Sequence, residues 1–264
     1  IIANANITIE GNGATIQNAN KGAFLIASGA TLNLDSVTLA NNFATTKGGA
    51  IANAGTLTIS NSTLSRNQAV APAGAIGSSP AAPGSDATGG AIDSSGSLTI
   101  TNSMFLDNDA FGGNGANATG SGDGGAGGDG SGGAIHNSGT LSITNSTFAG
   151  NLARGEHGGY GSGGGAAGPE GTGVGGAISQ QGTATLTNVT ISGNHADYGG
   201  GIYEPSSSFS ATVNGVVLAM NIGSNCYGGS WSGSYNLSDD GNCTAVFAGN
   251  VRGLNLGALA NNGG

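Results

Sequence analysis

Residues Gly55–Asn67 read Gly-Thr-Leu-Thr-Ile-Ser-Asn-Ser-Thr-Leu-Ser-Arg-Asn, and this unit recurs along the chain. Leu57 and Ile59 alternate with polar residues, which is the period-2 pattern of a strand buried on one face. After a polar corner, a second short strand carries Leu64 as its inward residue. Such a unit cannot bury its own apolar face, so its repetition predicts stacked turns. Five further stretches align with it without a gap: Ala30–Asn42, Gly96–Asn108, Gly139–Asn151, Gly182–Asn194 and Phe209–Asn221.

A third strand in each turn is predicted from the motif Gly-Gly-Ala-Ile and its variant Gly-Gly-Gly-Ile. Glycine permits a tight corner, and alanine and isoleucine fill it. Asn67 follows Asn42 by 25 residues at the equivalent position. The sequence therefore predicts an all-β protein, a right-handed parallel β-helix over residues 1–222 with about 25 residues per coil. The motif stands at Gly48–Ile51, Gly89–Ile92, Gly132–Ile135, Gly175–Ile178 and Gly199–Ile202.

Each repeat closes on an asparagine. Stacked in register at about 4.8 Å per turn, these side chains can hydrogen-bond to one another and to the backbone of the bend. We therefore predict a structural asparagine ladder. Its members are Asn42, Asn67, Asn108, Asn151, Asn194 and Asn221.

Three coils are lengthened at the same corner by Gly/Ser/Ala-rich insertions, near residues 70–88, 109–131 and 152–174. Because they leave the coil at one corner, we expect them to stack into a lobe along one side. Such a composition is typical of flexible linkers. Neighbouring loops of similar length could instead pack as extended glycine-rich backbone, and the sequence leaves both alternatives open.

Residues 223–264 form a C-terminal extension that is expected to complete or cap the solenoid. Cys226 and Cys243 bracket a polar segment with little apolar material of its own. A disulfide between them would contribute about 3 kcal/mol by closing the loop, and it would place the protein in an oxidising compartment. Two buried free thiols are the alternative.

The composition disfavours two classes of partner. Five basic residues against fourteen acidic ones give a net charge of −9, so neither nucleic acid nor an anionic membrane surface is an expected partner. No apolar run approaches the roughly 20 residues of a membrane-spanning helix. Gly124–Asp129 matches the glycine-rich calcium repeat once, and we attribute the match to chance in a glycine-rich region. No cofactor or metal is predicted.

The repeats resemble known families. Gly-Gly-Ala-Ile combined with Phe-x-x-Asn, at Phe105–Asn108 and Phe148–Asn151, resembles the repeats of polymorphic outer-membrane proteins, which are autotransported β-helical adhesins. Three other stretches, Ile7–Ile16, Tyr235–Cys243 and Ala258–Gly264, are similar to secreted bacterial β-helix proteins with a choice-of-anchor domain. The resemblance implies an extracellular or cell-surface location. It does not specify an activity.

No catalytic residue is predicted. The basic residues occupy unrelated positions of the repeat, and the three histidines have no evident Asp–Ser or Cys partners in the sequence. Four acidic residues are expected at solvated corners. The residues concerned are Lys21, Lys47, Arg66, Arg154 and Arg252; His136, His157 and His195; and Asp35, Asp93, Asp107 and Glu204.

These observations favour a non-enzymatic extracellular rod with a structural or adhesive function. Its expected partners are other copies, through the solenoid ends, or a host surface or glycan. One alternative is a carbohydrate-active enzyme of the β-helix class. Another is an ice-binding protein, because outward hydroxyl residues recur on the first strand. Those residues are Thr56 and Thr58, Ser97 and Thr99, Thr140 and Ser142, and Thr183 and Thr185.

Overall fold

The computed structural model describes residues 1–76, 80–206, 210–243 and 246–248. Within these ranges the chain is all-β, and every pairing between its named strands is parallel. Strands stack on their equivalents in the next turn, so the chain is a parallel β-helix, as the repeat predicted. Arg252 and Ala258–Gly264 lie outside the described residues. We number columns 1 to 4 of stacked strands in the order in which one turn passes through them, and column 5 is a short additional column found in the lengthened turns.

Columns 1 and 2 form one large sheet. Thr31–Ala40 runs through both columns, and Asn6–Gln17 pairs along it on the N-terminal side. Leu57 lies in register with Leu32 and Leu98, so like stacks on like. The other strands of column 1 are Thr56–Ser60, Ser97–Thr101, Thr140–Thr144, Thr183–Thr187, Ser210–Asn214 and Ser230–Ser234. Those of column 2 are Thr63–Ser65, Met104–Leu106, Thr147–Ala149, Thr190–Ser192, Val217–Ala219, Asn236–Ser238 and Phe247–Ala248.

Column 3 adds a strand that the sequence analysis did not predict. Three strands per turn were expected, but a short fourth strand follows the ladder asparagine. Its inward residue is a buried alanine, such as Ala69 or Ala110. One small residue gives too weak an alternation to be recognised as a strand. The strands are Phe43–Ala44, Gln68–Val70, Asp109–Phe111 and Leu152–Arg154.

Column 4 follows the Gly-Gly corner and closes each turn. In the three lengthened turns, a short column 5 precedes column 4. It lies where each insertion rejoins the β-helix. Column 4 contains Ile2–Ala3, Phe24–Ile26, Ile51–Asn53, Ile92–Ser94, Ile135–Asn137, Ile178–Gln180, Ile202–Glu204 and Cys226–Gly228. Column 5 contains Ala87–Thr88, Gly130–Ser131 and Gly173–Val174.

The core is a continuous stack of aliphatic layers. Leu57, Ile59 and Leu64 are fully buried in one turn, and their equivalents are buried in the next. Phe105 and Phe148 stack with their ring centroids 4.6 Å apart. Each fully buried side chain of this size contributes about 1.5–3 kcal/mol. Stability therefore accumulates turn by turn.

The predicted ladder asparagines form one hydrogen-bonded column inside the bend. The Asn67 side-chain amide donates to Asn108 Oδ1 at 2.9 Å and to the Leu39 carbonyl at 3.0 Å. Its backbone N–H donates to Asn108 Oδ1 as well. The pattern repeats from Asn42 to Asn221. These bonds satisfy the buried amides, so the column fixes the register of consecutive turns.

The disulfide between Cys226 and Cys243 is present, and both cysteines are buried. Their Cα atoms are 5.2 Å apart. The described part of the extension continues columns 4, 1 and 2 with further strands. It therefore lengthens the rod.

Candidate functional site

The described residues of the three insertions form a packed lobe of extended segments. Their backbone hydrogen bonds link neighbouring chains at every third residue. This is the period of the polyproline II helix, which has no internal hydrogen bonds and so offers each amide to a neighbour. Gly112, Gly115 and Ala118 donate to the carbonyls of Arg154, His157 and Tyr160, and Gly124, Gly127 and Gly130 donate to those of Ala166, Pro169 and Thr172.

Close approach explains the glycine content of the lobe. A Cβ atom on Gly125 would lie 2.0 Å from the Ala82 carbonyl oxygen, and one on Gly159 would lie 1.9 Å from that of Ala116. No side chain fits at such distances. Of the two alternatives, flexible linker or packed backbone, the structure therefore shows packed backbone, and the lobe lies along one side of the rod.

A cleft lies where the lobe meets column 4. The first glycine of each Gly-Gly pair has a positive φ, and a Cβ on Gly89 would lie 2.1 Å from the Ile92 carbonyl oxygen. A Cβ on the second, Gly90, would lie 2.0 Å from the Gly133 carbonyl oxygen of the next turn. This corner brings outward residues of columns 5 and 4 around one cavity of about 560 Å³. Its lining includes Thr88, Ser131, Val174 and Tyr198, then His136, Tyr203 and Tyr227, and also Asp86, Asp129 and Thr172 from the base of the lobe.

Three tyrosines occupy one end of this cleft, which we call the tyrosine cleft. The Tyr203 and Tyr227 rings are stacked with centroids 5.4 Å apart, and Tyr198 is tilted against Tyr227 at 5.2 Å. Tyr198 is 49% exposed and Tyr227 is 47% exposed. Both residues are therefore accessible to a ligand from solvent. No sequence pattern indicates these tyrosines, because they do not recur at one position of the repeat.

Parallel register holds the rings in place. Tyr203 pairs with Tyr227 in column 4, and Tyr198 bridges to Val174 at the level of column 5. Tyr227 is adjacent to Cys226, so the disulfide anchors its strand. Burial, and then the neighbouring Tyr227, Asp129 and Tyr198, raise the pKa of the Tyr203 phenol. The hydroxyl of Tyr203 therefore stays protonated and can donate at neutral pH.

The interpretation of His136 as lacking a partner is wrong. His136 Nδ1 lies 2.8 Å from Asp93 Oδ1 across adjacent turns of column 4. Ser179 follows in register, and Ser131 Oγ donates to Ser179 Oγ at 2.9 Å. The signal was present in the sequence, since Asp93, His136 and Ser179 each follow the isoleucine of a Gly-Gly-Ala-Ile motif.

No oxyanion hole accompanies this Asp–His pair in the adjacent Gly132–Gly133 backbone. The backbone amides beside Ser131 already donate within the sheet, Gly132 to the Val174 carbonyl and Gly133 to that of Gly175. These two amides are therefore not free to stabilise an oxyanion.

The carboxylates at the base of the lobe support the backbone. Asp86 Oδ1 accepts from the N–H of Asp129 at 2.8 Å, and Asp129 Oδ1 accepts from the N–H of Thr172 at 2.7 Å. Asp129 belongs to the glycine-rich calcium match. Its Oδ1 accepts a hydrogen bond from a backbone N–H of the next insertion. No group of three or more His, Cys, Asp or Glu suited to a metal occurs among the described residues.

The other singled-out acidic residues lie apart from the cleft or beneath the surface. Asp107 is exposed, as expected. Asp35 is partly buried, and hydrogen bonds from Ser60, Asn61 and Ser36 lower the pKa of its carboxyl. The expectation of a solvated corner is wrong for Glu204. This residue of column 4 is 0% exposed, and its side chain points into the interior of the β-helix. Its side chain faces inward because position three of this strand alternates into the core.

The remaining charged candidates are scattered. His157 pairs with Glu170 on the exposed face of the lobe, with Nδ1 and Oε2 2.8 Å apart. Arg154 pairs with Glu156 and lies 4.9 Å over the Phe111 ring. His195 bridges to Leu152 by its backbone, beside column 3. Lys21, Lys47 and Arg66 are exposed on separate turns.

The hydroxyl residues of column 1 lie in straight ranks. Thr58, Thr99, Ser142 and Thr185 are in register from turn to turn, with Asn33 at one end. A parallel rank stands two residues earlier, at Thr56, Ser97, Thr140 and Thr183. The residues are in register, as the ice-binding alternative requires, but Ser97, Ser142 and Asn33 interrupt the threonines.

The fold and the cleft define a class of protein: a disulfide-bonded parallel β-helix with a packed glycine lobe and an aromatic cleft at the base of that lobe. Comparison of the chain with protein-family models, curated proteins and solved structures finds no match. No helix in the described ranges is long and apolar enough to cross a membrane.

Proposed function

We propose that this chain is a non-enzymatic extracellular or cell-surface rod whose function is adhesive. The observation that carries the proposal is the tyrosine cleft, in which Tyr198 and Tyr227 are half-exposed on a rigid scaffold. Exposed aromatic rings held in fixed positions are typical of binding surfaces, because little conformational entropy is lost on contact.

The disulfide supports the location. Cys226 and Cys243 are bridged, and such bonds persist mainly in oxidising compartments. The resemblance of the repeats to autotransported adhesins and to secreted bacterial β-helix proteins points to the same compartment.

The way in which the polar groups are used supports the non-enzymatic assignment. One oxygen each of Asp86 and Asp129 accepts a backbone N–H of the following turn. The ladder amides are bonded in the same way. These groups already serve the stacking of turns, which leaves the aromatic cleft as the surface best suited to a partner.

Adhesion is tested with fluorescently labelled protein on plates coated with cellulose, chitin, polygalacturonate or gelatin. We expect retention on at least one coating and no release of reducing ends from it. Release of reducing ends would contradict the non-enzymatic assignment. Absence of retention on all four coatings would contradict the adhesive one.

A carbohydrate-active enzyme is the second candidate, and the Asp93–His136 pair favours it. His136 lines the tyrosine cleft, and Asp93 holds its Nδ1, which leaves Nε2 to exchange a proton with a bound ligand. If this candidate is right, glycan cleavage appears in the retention assay and is lost in His136→Gln.

A further inference from the structure

The aromatic rings of the tyrosine cleft suit one chemical class of ligand. Tyr198 and Tyr227 present ring surface, whereas Gln181, Thr172 and the Tyr203 hydroxyl offer hydrogen bonds beside them. A pyranose sugar has the matching pattern, with C–H groups on its ring faces and hydroxyls around its edge. The cavity of about 560 Å³ lies within the roughly 300–1,000 Å³ typical of ligand sites.

The charges of the cleft select among sugars. Asp86 and Asp129 line it, and no lysine or arginine is among the described residues of its lining. The whole chain carries a net charge of −9. A uronate or sulfated chain would be repelled by these carboxylates. An uncharged chain has no such barrier, and its hydroxyls can donate to the carboxylate oxygens.

From this geometry we infer that the tyrosine cleft binds a neutral pyranose oligosaccharide, by packing sugar faces on Tyr198 and Tyr227 and by hydrogen-bonding sugar hydroxyls along the polar wall of the cleft. This inference rests on the proposed adhesive function and names its ligand class. The binding site is preformed, because strand register and the adjacent disulfide fix the rings before a ligand arrives.

The test is isothermal titration calorimetry of the intact protein with three probes: cellohexaose, N-acetylchitohexaose and oligogalacturonate. We expect at least one of the two neutral probes to bind, and to bind more tightly than the oligogalacturonate. In Tyr198→Ala/Tyr227→Ala, binding of that neutral probe should weaken by at least about ten-fold. Reduction of the disulfide should weaken it as well, because it frees the strand that carries Tyr227.

Matched controls are available on the same molecule. Tyr235 is 91% exposed, and Tyr160 lies on the lobe, outside the tyrosine cleft. Tyr235→Ala and Tyr160→Ala should bind the neutral probe as the parent chain does. Circular dichroism melting of every variant confirms that the rod is folded.

Three results would overturn the inference: no binding of either neutral probe at millimolar concentration, binding unaffected by Tyr198→Ala/Tyr227→Ala, or preference for the oligogalacturonate. The plate assay separates these outcomes from failure of the proposed function. Retention that survives Tyr198→Ala/Tyr227→Ala leaves adhesion standing and places it on another surface. Loss of all retention by the parent chain removes the adhesive function itself.

Discussion

Replacement of Glu204 by glutamine should stabilise the rod at neutral and alkaline pH. Glu204 is 0% exposed, and neither carboxylate oxygen has a hydrogen-bond partner of normal geometry among the described residues. Gln180 Nε2, from the preceding turn of column 4, is likewise buried without a partner there. Burial raises the pKa of the Glu204 carboxyl to about 7, and the backbone of Ser230 opposes this by a smaller amount.

The magnitude follows from linkage between protonation and folding. The ordinary pKa of the group is 4.5, so the folded chain keeps a proton that the unfolded chain releases between pH 4.5 and about 7. Stability is therefore complete below pH 4.5 and falls as the pH rises to about 7, above which the loss is constant. At about 1.4 kcal/mol per pKa unit, the loss reaches up to about 3 kcal/mol.

Glu204→Gln removes the ionisation while keeping the shape of the side chain. We expect its free energy of unfolding to match the parent chain at pH 4 and to exceed it by up to about 3 kcal/mol at pH 8. The measurement is urea denaturation at pH 4, 6 and 8, followed by Trp231 fluorescence. Glu10→Gln, on the exposed edge strand Asn6–Gln17, is the control and should change little. An equal effect of Glu204→Gln at pH 4 and pH 8 would refute the reasoning.

Four further predictions concern the lobe, the asparagine ladder, the disulfide and the hydroxyl ranks of column 1. Gly125→Ala should destabilise the lobe by about 1–3 kcal/mol through overpacking, whereas Gly122→Ala, which meets open space, should not; hydrogen exchange of the lobe amides distinguishes them. Asn108→Ala should lower the unfolding free energy by about 1–3 kcal/mol for each buried group left unpaired, and a melt unchanged from that of exposed Asn20→Ala would show that the ladder adds nothing. Reduction of Cys226–Cys243, 17 residues apart, should cost about 3 kcal/mol in chemical denaturation, and equal midpoints with and without reductant would contradict this. If the hydroxyl ranks bind ice, thermal hysteresis should appear in nanolitre osmometry, and its absence would end that alternative.

The candidate site was less accessible from the sequence than the fold. The pairing of Asp93 with His136 could have been found by aligning the residue after each Gly-Gly-Ala-Ile motif. The cluster of Tyr198, Tyr203 and Tyr227 could not be found in this way, because Tyr198 lies outside the strands, beside column 5, and Tyr227 belongs to the extension. Whether the three rings come together depends on the length of each turn, because that length sets which residues of successive turns lie side by side.

The stacking of turns is already encoded in the repeated residues. Apolar residues recur at the positions of Leu57, Ile59 and Leu64 in each repeat. Stacking the repeats buries these equivalent side chains against one another. The repeat likewise encodes the ladder, since each asparagine closes an equivalent bend. Such features are local and repeated, and each copy reinforces the same register.

The packing of the glycine lobe and the burial of Glu204 become visible only in three dimensions. A glycine-rich segment carries no side-chain pattern, so its order depends on whether the insertions of successive turns lie close enough to bond, as Gly115 does with the carbonyl of His157. Glu204 is buried because the turns that follow cover it. Both outcomes depend on contacts between turns, which the one-dimensional order of residues does not contain.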